Sequence, residues 1–418
     1  IVRKDTGWEP ILRGNQRATR ALWEPAVPDT RIVSLAPCST YDLSEVAMAL
    51  RRVLEPWGGI SSIVEPGQRV LLKPNLLMPT GPHRAITTHP VVLEAMVDLV
   101  REAGGEPTIA DSPGGPLHTR AGMHRLYRDT GLEAMARRKG VPLHVEADAI
   151  DVPVPDGRQL ASVELLKAWH EADAIIALPK LKTHGFTTIT GATKILFGLV
   201  PGLNKLAYHA RLPELDRFCD MLLDIVACVR PALFVMDAVV ALEGNGPSLQ
   251  GSPRQIGALL ASRDAVALDA TVCQIIGVDP DRLALFRAAT RRGWWPVDIT
   301  VEGTPVADVA AEEFRLPDTA DASTRPAAGW LPLWVTRAYV PRPVPQPGQC
   351  TGCGTCVRSC PRGAIAIVDG LAKVDDQWCI RCYCCHEMCP EAAIELEWSR
   401  LGRCVHWLAT LRQLVESL

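Results

Sequence analysis

Two runs near the end of the chain, CTGCGTCVRSCP and CIRCYCCHEMCP, set their cysteines at the same intervals. Cys350, Cys353, Cys356 and Cys360 follow C-x2-C-x2-C-x3-C-P, and Cys379, Cys382, Cys385 and Cys389 repeat the pattern 29 residues later. Thiolates this dense suit an iron–sulfur cluster, because disulfides want an oxidising compartment and zinc sites do not use a doubled pattern of this kind. Cys384 falls between two of the spaced positions and reads as a spare thiol. A second stretch, LPKLKTHG at 178–185, holds Lys180, Lys182 and His184. Along an extended chain, alternate residues face one side, roughly 7 Å from one to the next. All three side chains would then point at one spot.

The background makes that stretch stand out. The chain has nine lysines among its 44 basic residues, and four of them, Lys180, Lys182, Lys194 and Lys205, lie within 180–205. Lysine is a compact donor whose pKa shifts on burial, which the arginine fork does not offer. Elsewhere the totals exclude more than they assign. A net charge of −3 gives no electrostatic case for nucleic acid. The most apolar run, IVACVRPALFVMDAVVAL, is interrupted by Arg230, Pro231 and Asp237 and cannot span a membrane. A cytoplasmic protein is expected, with export after loss of an N-terminal signal left open.

The doubled cysteine pattern resembles the bacterial two-cluster ferredoxin over residues 348–398, down to the tails PRGAIAI and PEAAIEL. The resemblance implies that Cys350, Cys353, Cys356 and Cys389 hold one [4Fe–4S] cluster, while Cys379, Cys382, Cys385 and Cys360 hold the other, each fourth cysteine crossing over. VPRPVPQPG ahead of it reads as a stiff polyproline spacer that sets the reach of the module. The organisation expected is an N-terminal extension (1–30), an α/β domain (31–325), a Pro/Trp-rich linker (326–347), the ferredoxin domain (348–398) and an amphipathic helix (399–418) that carries Cys404.

Something must position the lysines. RIVSLA, RVLLK, EPTIAD, DAIIAL and ALFVMD are short apolar runs of the kind buried on both faces of a sheet. Helical patterns such as TTHPVVLEAMVDLVREAGG and RLPELDRFCDMLLDIVACV separate them. The alternation predicts a layered α/β domain with a mainly parallel sheet and helices on both faces, beside a small α+β ferredoxin-like domain. In such a sheet the carboxyl ends of the strands share one edge, where ligands bind. Lys73 and Asn75 follow one strand, Asp111, Ser112 and Gly114 the next, and Asp237, Glu243 and Asn245 the last. With Lys194 they form the expected binding set around Lys180, Lys182, His184 and His209. Glycines at 114–115 and 244–246 permit close backbone approach, without the fingerprint of a nucleotide or flavin site.

LLKPNLL, TTHP, ADSPGG, PKLKTHGFTTITGATKILFG, EGNGP and ASRDAVALDA, in that order, resemble the domain-of-unknown-function family numbered 362 over about residues 31–280. The resemblance implies an iron–sulfur protein of redox function whose members often carry a two-cluster ferredoxin tail. Ile195 stands where the family pattern has Asn after Lys194, which removes an amide.

The chemistry expected is a reductase. Two clusters pass single electrons to a small anionic or carbonyl-bearing substrate, Lys180 and Lys182 hold or polarise it, and His184 or His209 delivers a proton. An external low-potential donor or acceptor completes the circuit, and the module should pack on the carboxyl edge of the sheet. Two other readings compete. One is a carrier or assembly component that docks on a larger redox complex through GWLPLW and RRGWWP. The other is a metal site built from His89, Asp111, His184 and His209.

Overall fold

The structure, a computed structural model, describes residues 31–320 and 340–399. The expected N-terminal extension, the linker up to residue 339 with its GWLPLW run, and the C-terminal helix with Cys404 lie outside the described residues.

Nine strands form the central sheet: β1 (Arg31–Pro37), β2 (Arg69–Pro74), β3 (Glu106–Ile109), β4 (Ala174–Leu178), β5 (Lys180–His184), β6 (Thr188–Thr190), β7 (Leu233–Gly244), β8 (Gly251–Ser262) and β9 (Ile299–Gly303). Their order is β9-β1-β8-β7-β4-β2-β3, with β5 beside the later part of β7 and β6 on β5. β8 runs against both neighbours and β6 against β5; every other pair is parallel. The carboxyl ends of β2, β3, β4 and β7 therefore point one way.

Alternation along each strand feeds two apolar layers. Leu71 of β2 and Phe234, Met236 and Ala238 of β7 pack in one core with helices Leu215–Val229 and Ala265–Ile275. Val70 and Leu72, with Val235 and Val239, pack in the other against helices Leu43–Leu54 and Pro90–Glu102. With both faces covered, the strand sequences need no polar side, which is why they read as continuous apolar runs.

One strand is longer than expected. Asp237 lies inside β7, not at its end. β7 pairs first with β4 (Ile176 opposite Leu233) and then with β5 (Lys180 opposite Asp237), the change falling at Pro179.

The C-terminal module holds β10 (Arg342–Pro345), β11 (Ile365–Val368), β12 (Leu371–Val374) and β13 (Ile394–Glu397). β10 pairs with β13 and β11 with β12, both antiparallel. The stretch expected to be a polyproline spacer is thus β10, a strand of the module itself. Proline at every second position suits a two-stranded ladder, where only alternate residues exchange hydrogen bonds with the partner.

Candidate functional site

A cleft, partly open to solvent, lies over the carboxyl ends of β2 and β3 and along β5 and β6. Lys73, Asn75, Asp111, Gly114, Lys182, His184, Lys194 and His209 of the expected set line it. Its far wall comes from the cysteine module: Cys384 and Glu387 of the short helix Cys384–Glu387, and Met388 after it. The module is tied to this edge by Gln250, whose side-chain amide donates to the carbonyls of Ala392 and Ile394 (2.6 Å each). His386 sits within hydrogen-bond distance of the Asn245 carbonyl, 3.1 Å away.

Charge in the cleft is mostly positive. Lys73 is held by Asp111 at 2.9 Å, with both side chains buried. Lys182 donates to the Ile86 carbonyl at 2.8 Å, and burial together with the nearby Lys194 lowers its pKa to about 7. Lys205, absent from the set expected from sequence, donates to the Ser112 carbonyl, and burial brings it to about 7 as well. Lys194 makes no hydrogen bond or ion pair among the described residues, and burial lowers its pKa.

The two histidines are neutral. His184 Nδ1 accepts from the Phe186 amide at 3.0 Å, so the ring proton sits on Nε2, 3.6 Å from the Glu387 carboxylate. Burial holds its pKa well below the usual value, with Lys194 adding to the shift. His209 stacks on Phe218 at 4.5 Å and is brought to about 3 by burial. His184 Nε2, His209 Nδ1, Asn75 Oδ1 and Thr190 Oγ1 are buried without a hydrogen-bond partner, and all four residues line the cleft. Buried polar atoms are rarely left unpaired, so four around one space mark a place where a polar ligand belongs.

Other expected members lie elsewhere. Lys180 is not in the cleft: its ammonium meets Asp237 at 2.9 Å, and Tyr41 bridges the two at 2.7 Å from Lys180 and 2.9 Å from Asp237. The equal spacing along LPKLKTHG fails because the β5–β7 register breaks between Lys180 and Lys182, which lie opposite Asp237 and Leu242. Glu243 pairs with Arg315 and Asn245 with Asp318. Ser112 contributes only its carbonyl, to Lys205. His89 caps helix Pro90–Glu102 and stacks on Tyr41, and it does not line the cleft with His184 and His209. Among the described residues no three His, Cys, Asp or Glu side chains converge on a single metal ion.

Lysine enrichment alone could have pointed to Lys205. Nothing in the sequence pointed to Glu387 or Met388, which reach the cleft from the module. Gly115, with φ of 63°, lets the module approach; a Cβ there would lie 3.1 Å from Met388 Cε and 3.1 Å from Ser359 Oγ.

The eight spaced cysteines line two further cavities. Cys360, Cys379, Cys382 and Cys385 surround one, and Cys350, Cys353, Cys356 and Cys389 the other. Each set stands around a volume instead of a point, as a cubane requires. Backbone amides support the sulfurs: Ala364 donates to Cys360 at 3.2 Å and Ala393 to Cys389 at 3.2 Å. The donor set fits iron–sulfur clusters. Cys382 and Cys385 are buried on the cleft side, whereas Cys353 is exposed. Among the described residues no helix is long and apolar enough to cross a membrane.

The family described as Domain of unknown function (DUF362) matches residues 70–274, and a 4Fe-4S dicluster domain matches 342–390. A thylakoid-associated protein of Synechocystis sp. is 35% identical over 299 residues, 68% of this chain and 88% of that protein. One component of an ion-translocating oxidoreductase complex of Methanosarcina acetivorans is 45% identical over 47 residues, 11% of this chain and 18% of that protein. Among solved structures, the lactate racemase apoprotein from Thermoanaerobacterium thermosaccharolyticum is 15% identical, with a TM-score of 0.39 over 59% of this chain and 58% of that one. The chain belongs to the DUF362 family and is an iron–sulfur protein with a C-terminal 4Fe-4S dicluster domain that binds [4Fe–4S] clusters.

Proposed function

We propose that the protein is an oxidoreductase that passes single electrons through two [4Fe–4S] clusters to a small anionic, carbonyl-bearing molecule in the cleft. One observation carries this reading. Helix Cys384–Glu387 places Cys385 in the inner cysteine cavity and Cys384 and Glu387 in the cleft wall, so one turn of helix separates the two spaces.

The clusters, when bound, supply low-potential single electrons. The chain supplies the rest. Lys182, Lys194 and Lys205 attract the anion, while Asp111 keeps Lys73 fixed. The apolar walls of Leu76, Phe197 and Met388 limit water. The histidines are too weakly basic to deliver a proton, so that role passes to Lys182 or Lys205, whose pKa of about 7 matches neutral conditions. His184 instead offers its Nε2–H as a hydrogen-bond donor. The outer cavity, with Cys353, Ile367 and Val368 exposed, is where an external electron donor would dock. A cytoplasmic location, where thiols stay reduced, fits the free cysteines.

The competing reading is a carrier component of a larger redox complex, favoured by the similarity of the module to part of the Methanosarcina protein. Redox titration of the anaerobic, cluster-loaded chain with and without oxalate separates the two. An anion in the cleft should lower the potential of one cluster only, and Lys182→Gln should remove that shift. Potentials indifferent to oxalate would mean that cleft and cluster are uncoupled, and the carrier reading would stand.

A further inference from the structure

Of the four lysines around the cleft, three have their ammonium groups engaged. Asp111 and the Pro74 carbonyl hold Lys73, the Ile86 carbonyl holds Lys182 and the Ser112 carbonyl holds Lys205. Lys194 has no such acceptor among the described residues, yet its side chain lines the same space. Lys194 is half-buried, and burial works against its charge although the Glu387 carboxylate nearby favours the ammonium; the neutral amine there keeps a free lone pair that no described neighbour occupies. Its mount is rigid. Asp269, fully buried, accepts from the amides of Ala192 at 2.6 Å and Thr193 at 3.0 Å, which fixes the start of the short helix Ala192–Ile195.

We propose that Lys194 is a nucleophile that condenses with the carbonyl group of a small anionic ligand to form a Schiff base. The Nζ lone pair attacks the carbonyl carbon, forming a C–N bond as the C=O π bond breaks. The oxygen then leaves as water with the two protons that the amine loses, and no oxidant or reductant is consumed. The unpartnered Nε2–H of His184 is available to the carbonyl oxygen. Lys182 and Lys205, near neutrality, can lend a proton to the departing oxygen and recover one from nitrogen. This deepens the reading of the cleft as a substrate site but does not depend on electron transfer.

Glyoxylate with cyanoborohydride tests it, since hydride addition converts any imine to a stable secondary amine. The full, cluster-loaded chain is treated anaerobically at pH 7 and the modified lysines are mapped by peptide mass spectrometry. Lys194 should be modified several-fold faster than the exposed Lys167 and Lys373, because burial lowers its pKa whereas their amines stand in water. Sulfate should slow labelling at Lys194 but not at Lys167 or Lys373, and Lys194→Arg should abolish the adduct at position 194 while surface labelling persists. Modification of Lys194 in the wild-type chain no faster than of Lys167 overturns the proposal, whether or not the variant folds. The readout needs no turnover, so it fails or succeeds separately from the redox titration.

Discussion

Lys180 and Lys182 are two residues apart and both almost fully buried, yet their environments demand opposite behaviour. Lys180 is one half of a buried ion pair with Asp237. Removing one partner strands the other charge, so Lys180→Met should cost about 3–5 kcal/mol, and adding Asp237→Asn should restore part of the loss. Denaturant unfolding of the single and double variants measures this. Lys182 has no carboxylate to strand, so Lys182→Met should affect ligand binding far more than stability. The pH dependence follows from the same burial. Lys182 and Lys205 titrate near 7 in the folded chain against 10.5 normally, so between those values the unfolded state binds more protons. Stability without ligand should therefore rise as pH climbs above 7. Anion binding has the opposite sign, because an anion favours the ammonium form. Sulfate affinity should be greatest below pH 7 and fall by about ten-fold per pH unit for each proton taken up on binding. Calorimetric titration across pH 6–9 would show it, and a flat profile would mean that neither lysine meets the anion.

At the scale of elements, two backbone positions control how the parts meet. Gly115 has a positive φ and lies against Met388 and Ser359. Gly115→Ala adds both backbone strain and a methyl group where the module must sit. Hydrogen exchange in 384–388 should quicken in that variant while the sheet core stays protected. Asp269 caps the segment that presents Lys194. Asp269→Ala leaves two buried amides without an acceptor, at a cost of about 1–3 kcal/mol each. It should also reduce glyoxylate labelling of Lys194 at concentrations of denaturant that leave the fold intact. Both variants leave every cleft side chain in place, so these effects would come from positioning alone.

For the molecule as a whole, the inner cysteine cavity and the cleft share helix Cys384–Glu387 as a common wall, and adjacent residues divide its duties. Cys385 belongs to the crossed cysteine set, while Cys384 faces the cleft. Anaerobically assembled protein should contain about eight irons if both cavities hold a [4Fe–4S] cluster. Cys385→Ser should lower that count, and Cys384→Ser should leave it unchanged. An equal loss from both would show that Cys384 takes part in ligation, and zinc in place of iron would undo the assignment altogether.

Local information was enough for part of this. Cysteine spacing is a property of a few consecutive residues, so the doubled motif could be read directly, whereas the crossed sets came only from its resemblance to two-cluster ferredoxins. Continuous apolar runs separated by helical patterns announced a sheet covered on both faces, because burial on each side removes the need for polar residues. The polar strand ends at Lys73, Asn75 and Asp111 followed from that topology. What sequence could not decide depended on register and on distant partners. Lys180 leaves the cleft because β7 runs on past Asp237 and the pairing with β5 slips beyond it, a shift that no local pattern records. VPRPVP became a strand because β13 lies beside it. Glu387 and Met388 enter the site from a module roughly 200 residues further along the chain than the β5 residues they face. Contacts of that sequence separation are set by the packing of whole domains, and so only the tertiary structure shows that cleft and cysteine cavity stand back to back.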